Sequence, residues 1–163
     1  MPDPLGPPPD NPTATQAETE ALREAIRRAR DLADKGEAGY VAAVLSGDRV
    51  IAMCANEVGE TRDPSRHAEI VAIAAATRAL DRMDLSGATL VSTLQPCEMC
   101  LAAMRWAGIG RVVFAARQEM VHPKYFQFGG LRLPDYQAAG RGFVSVGGVI
   151  EEEVIDLYAD GRV

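Results

Sequence analysis

Four residues in two short motifs have the types and the spacing of a metal-assisted hydrolytic site. His67 and Glu69 are separated by one residue, and Cys97 and Cys100 are separated by two. Cysteines three positions apart lie on the same face of a helix and can reach a single ion. One histidine nitrogen and two thiolates suit zinc, and three protein ligands leave the fourth tetrahedral position open for water. The sequence therefore predicts a zinc site with His67, Cys97 and Cys100 as ligands.

Glu69 has a different predicted role from its neighbours. Zinc lowers the pKa of a bound water to roughly 7, which makes hydroxide available at neutral pH. Hydrolysis of a C–N bond then needs a group that moves protons between the water, the attacked ring and the departing amine. Glu69 follows His67 by two residues at a predicted helix start, so we predict that it carries these protons and does not bind the metal.

Each motif alone has a simpler interpretation. A Cys-x-x-Cys pair also occurs in thioredoxin-like redox sites and in structural zinc knuckles, and a lone histidine is often an ordinary helix residue. Here both motifs lie at predicted helix starts, and Pro96 precedes the first cysteine. The combination of H-x-E with P-C-x-x-C is the signature of zinc-dependent base deaminases. A structural zinc domain stays a rival, but it needs a fourth ligand, and the only spare histidine is His122.

The elements that must position these motifs follow from hydrophobic periodicity and turn residues. Apolar residues recur at helical spacing in several segments, and short apolar runs bounded by turn residues indicate strands. The turn residues 46–49 separate two such runs and predict a hairpin. This order of elements predicts an α/β fold in which helices cover a mixed sheet. The predicted helices are 13–35, 65–80, one that opens at Pro96, and 151–158, and the predicted strands are 40–45, 50–54, 88–93, 111–116 and 143–146.

The helix that carries the first motif has a specific predicted start. Asp63 is a favourable N-cap residue and Pro64 fits the first helical position, so the helix is expected to begin near residue 65. Its predicted buried side consists of Ile70, Val71, Ile73, Ala74 and Thr77.

Length and composition fit one domain with a substantial core. The chain has 163 residues, of which 47% are hydrophobic and 25% are charged, and this composition is ordinary for a globular domain. Five of the first nine residues are proline, which is typical of a solvated extension. We therefore predict a disordered tail over residues 1–12 and a zinc-dependent deaminase domain over residues 13–163.

Charge and cysteine content favour some partners over others. The formal net charge is −6, and a negative surface repels phosphate backbones unless a local basic patch outweighs the overall field. A small-molecule substrate is therefore expected, and nucleic acid is disfavoured without being excluded. The three cysteines, together with the lack of a run of roughly 20 apolar residues and of a signal peptide, predict a cytoplasmic protein that does not associate with membranes.

The residues around both motifs resemble the cytidine deaminase-like superfamily. The likeness is strongest over residues 63–70 and 94–104, and residues 108–117 are similar to the group that holds guanine deaminases, fungal-type cytosine deaminases and tRNA adenosine deaminases. It covers roughly residues 14–158. The resemblance implies a three-layer α/β/α fold with a five-stranded mixed sheet, one Zn²⁺ per chain and a homodimer.

The resemblance also implies roles for particular residues. It makes His67, Cys97 and Cys100 the zinc ligands and Glu69 the proton carrier. It implies that Asn56 hydrogen-bonds the substrate and that the backbone near Ala68 touches the ring, although an asparagine in a polar loop is also a common turn former.

Two departures from the family pattern bear on the substrate. Ala42 occupies a position of the first strand where the family usually has a glycine, and Gln95 occupies the position before Pro-Cys where a glutamate is common. Glu98 places an acid between the cysteines, which resembles fungal cytosine deaminases. Beyond the fourth strand, Tyr125 and Phe126 belong to an aromatic cluster that either stacks on a planar base as a lid or packs against a neighbouring subunit. This loop does not resemble the short loop of small residues that tRNA adenosine deaminases tend to show.

These observations lead to an ordered expectation for function. The first expectation is a zinc-dependent hydrolytic deaminase of a free nucleobase or nucleobase-like ring, with guanine first and cytosine second. The alternative is a tRNA-specific adenosine deaminase, which converts adenosine to inosine and requires a basic face near the site. Candidates for that face are Arg62, Arg66, Arg105, Arg111, Arg117 and Lys124.

Overall fold

Five strands form one mixed sheet in the computed structural model, which describes residues 10–163. The order across the sheet is β2-β1-β3-β4-β5. Strand β1 is antiparallel to both of its neighbours, whereas β3, β4 and β5 run parallel. The expected α/β fold is therefore confirmed. The strands are β1 (Val41–Ser46), β2 (Arg49–Ala55), β3 (Thr89–Leu94), β4 (Arg111–Ala116) and β5 (Val144–Val146).

Helices cover both faces of this sheet. Helix α1 packs on β1 and β3, and α3 packs on β1 and β2. Side chains of successive residues in a strand point to opposite faces, so Val41 and Ala43 of β1 enter one core while Ala42 enters the other. The three-layer α/β/α arrangement follows from these two cores. The helices are α1 (Gln16–Asp34), α2 (Val58–Thr61), α3 (Ala68–Leu80), α4 (Glu98–Trp106), α5 (Leu133–Ala139) and α6 (Ile155–Tyr158).

Helix α3 begins three residues later than the sequence predicts. The Asp63 carboxylate does not cap a helix, because it accepts hydrogen bonds from the backbone N–H and the hydroxyl of Ser65 at 2.9 and 2.6 Å. His67, in an extended conformation, takes the N-cap position. The buried side of the helix also differs, since of the predicted residues only Val71 is fully buried, and Ala68, Ala72 and Ala76 accompany it.

Three further expectations are changed by the structure. The segment predicted as one long loop ends in α5, which has a proline in its first turn and a capping interaction between Arg132 and Asp135. The predicted C-terminal helix is a 3-10 turn over Glu151–Glu153 followed by α6. Trp106 lies on the helix after the cysteines, which predicts a core or dimer-interface residue. It is 91% exposed, so the core position is wrong, while an interface position stays a prediction.

A buried ion pair joins α1 to the start of β4. Arg111 is fully buried and donates to the Glu18 carboxylate at 2.7 and 2.9 Å. It also donates to the backbone oxygens of Asn11 and Thr13. Glu18 in turn completes a capping box with Thr15 at the start of α1. This cluster attaches the start of the described chain to the amino end of β4. The predicted Pro-rich tail lies mostly outside the described residues, and the proposed domain boundary stays a prediction.

None of the helices within residues 10–163 is both long and apolar enough to cross a bilayer.

Candidate zinc-dependent active site

Two helix starts meet at the carboxyl end of β3. His67 is the N-cap residue of α3 and Cys97 is the N-cap residue of α4, and both have extended backbone conformations. Helix α4 follows β3 after only three residues, so its first turn is fixed next to the sheet. Free backbone N–H groups and the helix dipole make such positions favourable for anions, including thiolates. The two predicted motifs are therefore brought together by packed secondary structure.

The geometry of the three predicted ligands fits one zinc ion. The Nδ1 atom of His67 lies 3.6 Å from the Sγ atom of Cys97 and 3.6 Å from that of Cys100. All three ligand atoms lie within 4.8 Å of one another. Tetrahedral zinc with ordinary Zn–N and Zn–S bonds separates a nitrogen and a sulfur ligand by about 3.6 Å. The donor set and its spacing thus suit Zn²⁺, and within residues 10–163 this group has no fourth protein ligand.

The two thiols differ in their tendency to ionise. A hydrogen bond from Cys100, helped by His67, lowers the pKa of Cys97 to about 4, so Cys97 is a thiolate at neutral pH. The same bond and burial raise the pKa of Cys100. The hydrogen bond with Cys97 also raises the pKa of His67. Metal binding must therefore displace protons from this group, and zinc affinity is expected to fall at low pH.

Glu69 lies beside the three ligands in a buried position. Its Oε1 atom lies 2.9 Å from the Ser92 hydroxyl oxygen, and its Oε2 atom lies 3.4 Å from the Cys100 sulfur. The same Ser92 hydroxyl lies 2.7 Å from the Leu94 carbonyl oxygen. Burial raises the pKa of Glu69. A carboxyl group whose pKa is raised toward neutrality is suited to accept and release protons, although its role as the proton carrier stays a prediction.

A cavity of about 740 Å³ opens onto this group. Among the residues predicted for substrate contact, Asn56, Ala68 and Tyr125 line the cavity. Phe126 does not line it, because its side chain packs against the core on the α1 side of the sheet. Substrate contact by these residues stays a prediction.

Several residues that line the cavity were not singled out by the sequence reasoning, among them Tyr40, Phe128 and Val163. Tyr40 precedes β1, Phe128 follows the predicted lid pair, and Val163 lies far along the chain. The aromatic cluster around residues 122–130 was a signal for Phe128. No local pattern distinguishes Tyr40 or Val163, since only the fold places them beside Tyr125.

Asn56 lies at the cavity wall directly after β2. Its backbone N–H donates to the Tyr40 carbonyl oxygen at 3.1 Å, and its side-chain oxygen accepts from the backbone N–H of Val58 at 3.0 Å. The turn-forming interpretation and the substrate-binding interpretation are therefore compatible. The oxygen is used to hold the turn, and the amide NH₂ group is the part that a substrate could engage.

The residues 118–132 form what we call the rim segment, which borders the mouth of the cavity. Tyr125 of this segment makes edge contacts with Tyr40 and Tyr158, at ring-centroid distances of 6.0 and 5.9 Å. Tyr40 and Tyr158 are stacked, with an angle of 8° between their rings. The Tyr158 hydroxyl donates to the Gly39 carbonyl oxygen at 2.6 Å, and the Lys124 ammonium lies 5.2 Å from the centre of the Tyr125 ring.

The candidate basic face is smaller than the sequence suggests. Arg111 is buried, Arg66 pairs with Glu57 at 2.7 Å, and Arg117 pairs with Glu151 at 2.8 Å. Of the predicted basic residues, only Lys124 lines the cavity.

The fold and this site together define a zinc-dependent deaminase class. Residues 15–116 match the family described as "Cytidine and deoxycytidylate deaminase zinc-binding region", and the chain belongs to this family. Membership implies a hydrolase that acts on C–N bonds and uses zinc.

The relatives of this chain are named for different substrates. A tRNA-specific adenosine deaminase from Aquifex aeolicus is 38% identical over 58% of this chain and 63% of its own length. A solved structure from a study of A-to-I editing by tRNA:A34 deaminases at the wobble position is 32% identical, with a TM-score of 0.71, and the match covers 83% of this chain and 96% of that one. A guanine deaminase from Nitrosomonas europaea is 26% identical, with a TM-score of 0.75, over 94% and 92% of the two chains.

The expectation of guanine first and cytosine second is contradicted by these relatives. Of these three relatives, the two named for adenosine deamination in tRNA are 38% and 32% identical, against 26% for the guanine deaminase. The TM-scores are nearly equal, so the shared fold does not separate the substrates. The error arose because the net charge of −6 was taken to disfavour nucleic acid, whereas binding depends on the local surface at the mouth.

Proposed function

We propose that this protein is a zinc-dependent deaminase of adenosine in tRNA, which replaces the exocyclic amine by oxygen to give inosine. The observation that carries the proposal is the 38% identity with the Aquifex aeolicus tRNA-specific adenosine deaminase. The 32% identity with the tRNA:A34 deaminase structure, over 96% of that chain, supports it further.

The site contains the groups that this hydrolysis needs. His67, Cys97 and Cys100 would hold the ion, and zinc lowers the pKa of water so that a nucleophile is available at neutral pH. Glu69 takes a proton from the attacking water and passes it to the ring nitrogen next to the amine. It then moves the remaining proton of the added hydroxyl group to the amine. The carbon–oxygen double bond forms as the carbon–nitrogen bond breaks, so that adenosine and water give inosine and ammonia. Asn56 donates its amide N–H to an acceptor on the base edge.

The cavity mouth suits a base that projects from a nucleic-acid loop. An enzyme of this chemistry acts on a base that has left the stack. Tyr125 and Phe128 border the mouth and offer flat apolar surfaces, and Lys124 adds a positive charge beside them. Proteins that bind single-stranded nucleic acid combine aromatic side chains, on which bases stack, with positive charges that attract the backbone. This arrangement supports RNA binding despite the overall charge of −6.

Two wider predictions belong to the same proposal. A homodimer is proposed because Trp106 and Met83 are 91% and 87% exposed, and such apolar side chains favour burial against a partner. Light scattering of the purified protein, with Trp106→Glu as the disrupting variant, tests the dimer. A cytoplasmic location is proposed because the roles of Cys97 and Cys100 require thiols that stay reduced.

The direct test is deamination of a tRNA with adenosine at the wobble position. Nucleoside chromatography should show inosine, and the same tRNA with guanosine at that position should give none. Glu69→Gln serves as the inactive control. Free guanine and cytosine are assayed in parallel for ammonia. Turnover of a free base without any inosine in tRNA would overturn the proposal.

A further inference from the structure

Gln95 and Glu98, which lie on either side of Pro96 and Cys97, both contact the rim segment. Gln95, which lies two residues before Cys97, accepts from the backbone N–H of Gln118 at 2.9 Å and donates to its side-chain oxygen at 3.3 Å. Glu98, directly after Cys97, accepts from the backbone N–H of Phe128 at 2.6 Å. The predicted zinc ligand Cys97 is therefore flanked on either side by a residue that holds the border of the cavity.

The attachment through Glu98 holds a part of the rim segment that has little other support. Phe128 is 63% exposed, and the next two residues, Gly129 and Gly130, have no atoms within 4 Å of where a Cβ would lie. A hydrogen bond from a backbone N–H to an ionised carboxylate is stronger than one between neutral groups. Glu98 and Phe128 both line the cavity, so this bond sets where the Phe128 ring lies at the mouth.

The attachment through Gln95 supports the same segment from its other side. Gln95 and Gln118 are both buried, with exposed fractions of 5% and 9%. The Gln118 amide also donates to the Leu131 carbonyl oxygen at 3.1 Å. Gln118, at the beginning of the rim segment, is thus bonded to Gln95 directly, and Leu131, near its end, is linked to Gln95 through Gln118. A neutral glutamine serves this network because its amide offers both a donor and an acceptor, whereas a glutamate would offer acceptors alone.

We infer that Glu98 is a positioning residue that fixes the Phe128 ring at the cavity mouth and thereby sets the affinity for the RNA substrate. This inference rests on the proposed function for its substrate. Glu98 acts through the backbone of Phe128 and takes no part in the reaction, whereas a purely structural role in the first turn of α4 would act through the helix dipole. The two roles predict different kinetics.

Steady-state kinetics on the wobble-adenosine tRNA distinguish these roles. Glu98→Ala should raise KM about tenfold, the range expected from one lost base–aromatic stack, while kcat stays within about twofold and zinc content stays at one per chain. Glu98→Gln keeps a carbonyl oxygen as acceptor and should restore most of the affinity. In a Phe128→Ala background, Glu98→Ala should have no further effect on KM, because the ring that it positions is gone. Full additivity of the two changes, or an unchanged KM in Glu98→Ala, would overturn the inference.

Hydrogen–deuterium exchange gives a readout that does not depend on turnover. Glu98→Ala should speed exchange of the Phe128 amide at least about tenfold and leave the amides of α4 unchanged. Unchanged exchange at Phe128 would defeat the inference even in an active enzyme. If wild-type protein produces no inosine, the proposed function fails and the link to RNA affinity falls with it, while the exchange experiment still decides whether Glu98 holds the rim segment.

Discussion

The floor and the border of the cavity are built in contrasting ways. The floor consists of His67, Glu69, Cys97 and Cys100, all placed on the first turns or N-caps of helices that pack on the sheet. The border is the rim segment, whose residues are mostly exposed and are held by a few individual hydrogen bonds. The predicted reacting groups are therefore held by the packed core, whereas the rim segment depends on few contacts and could vary without disturbing that core.

The largest expected effect comes from removing a floor ligand. Cys97→Ala should abolish zinc binding and all measurable deamination, because two ligands hold zinc far more weakly than three and the metal also stabilises the fold. Metal analysis of the purified protein and a thermal melt measure both effects. Cys54→Ala is the matched control, since Cys54 is a free cysteine on β2 outside the ligand group. If the Cys97→Ala protein still contained one zinc ion per chain, Cys97 would not be a required zinc ligand.

Glu69→Gln should have the next largest effect and should separate proton transfer from metal binding. The amide keeps the size of the side chain but does not carry protons, so kcat is expected to fall by about 10²–10⁴-fold while zinc stays bound. Comparison of kcat with zinc content checks this. Glu60→Gln, at an exposed acid outside the cavity lining, should behave as wild type. Retained turnover in Glu69→Gln would show that another group carries the protons.

A change on the border should alter affinity more than turnover. Tyr125→Ala is expected to raise KM for tRNA about tenfold, the loss expected for one stacked base, with zinc retained. Tyr125→Phe keeps the ring and should stay near wild type. Phe126→Ala provides the contrast, because Phe126 packs on the core, so its loss should lower the melting temperature and leave KM unchanged. Equal effects of Tyr125→Ala and Phe126→Ala on KM would mean that Tyr125 supports the structure of the rim segment and does not stack on the substrate.

The smallest expected effect on activity comes from the far end of the sheet. Glu18→Gln keeps an acceptor for the capping box but removes the charge that pairs with buried Arg111, which should cost about 3 kcal/mol of unfolding free energy and leave kcat unchanged. Chemical denaturation at neutral pH measures the loss. A changed kcat would mean that this cluster is coupled to the floor.

The pH dependence of the Glu18 effect follows from its pKa. Burial alone would raise the pKa of Glu18, but hydrogen bonds from Arg111 and Thr15 and the charge of Arg111 lower it below 4.5. The stabilisation is therefore fully present above pH 4.5 and is lost as the pH falls through the lower value of the folded protein. The difference in stability between wild type and Glu18→Gln should shrink over that acidic range.

The floor of the cavity could be predicted from the sequence because its residues are specified by short motifs and by the turn residues next to them. His67, Glu69, Cys97 and Cys100 lie in short motifs, and each motif adjoins a helix start whose turn residues and apolar pattern are visible in the sequence. The five strands and their mixed arrangement were predicted for the same reason. The exact start of α3 was not predicted, because an aspartate such as Asp63 can cap either a helix or a turn. Only the folded structure shows that Ser65 donates to the Asp63 carboxylate and forms a turn.

The border could not be predicted because its contacts join distant parts of the chain. Tyr40 precedes β1, Tyr125 lies in the rim segment and Val163 accepts a hydrogen bond from Tyr125 at 2.9 Å, and no sequence period relates them. Phe126 packs on the core and does not line the cavity, whereas its neighbour Tyr125 does, because adjacent residues in this loop point in different directions. The substrate was misjudged for a related reason, since a total charge carries no information about where charges lie.

The single hydrogen of the Ser92 hydroxyl has a consequence for the neighbouring carboxyl. Two oxygens lie within bonding distance of it, one on Glu69 and one on the Leu94 backbone, but a hydroxyl donates only one hydrogen at a time. When Glu69 is ionised it can receive that hydrogen. When Glu69 is neutral its own O–H can turn toward Ser92, and the serine hydrogen then goes to Leu94. Glu69 therefore keeps a hydrogen-bonded partner in either charge state, so gaining or losing a proton does not leave its own buried carboxyl group without one.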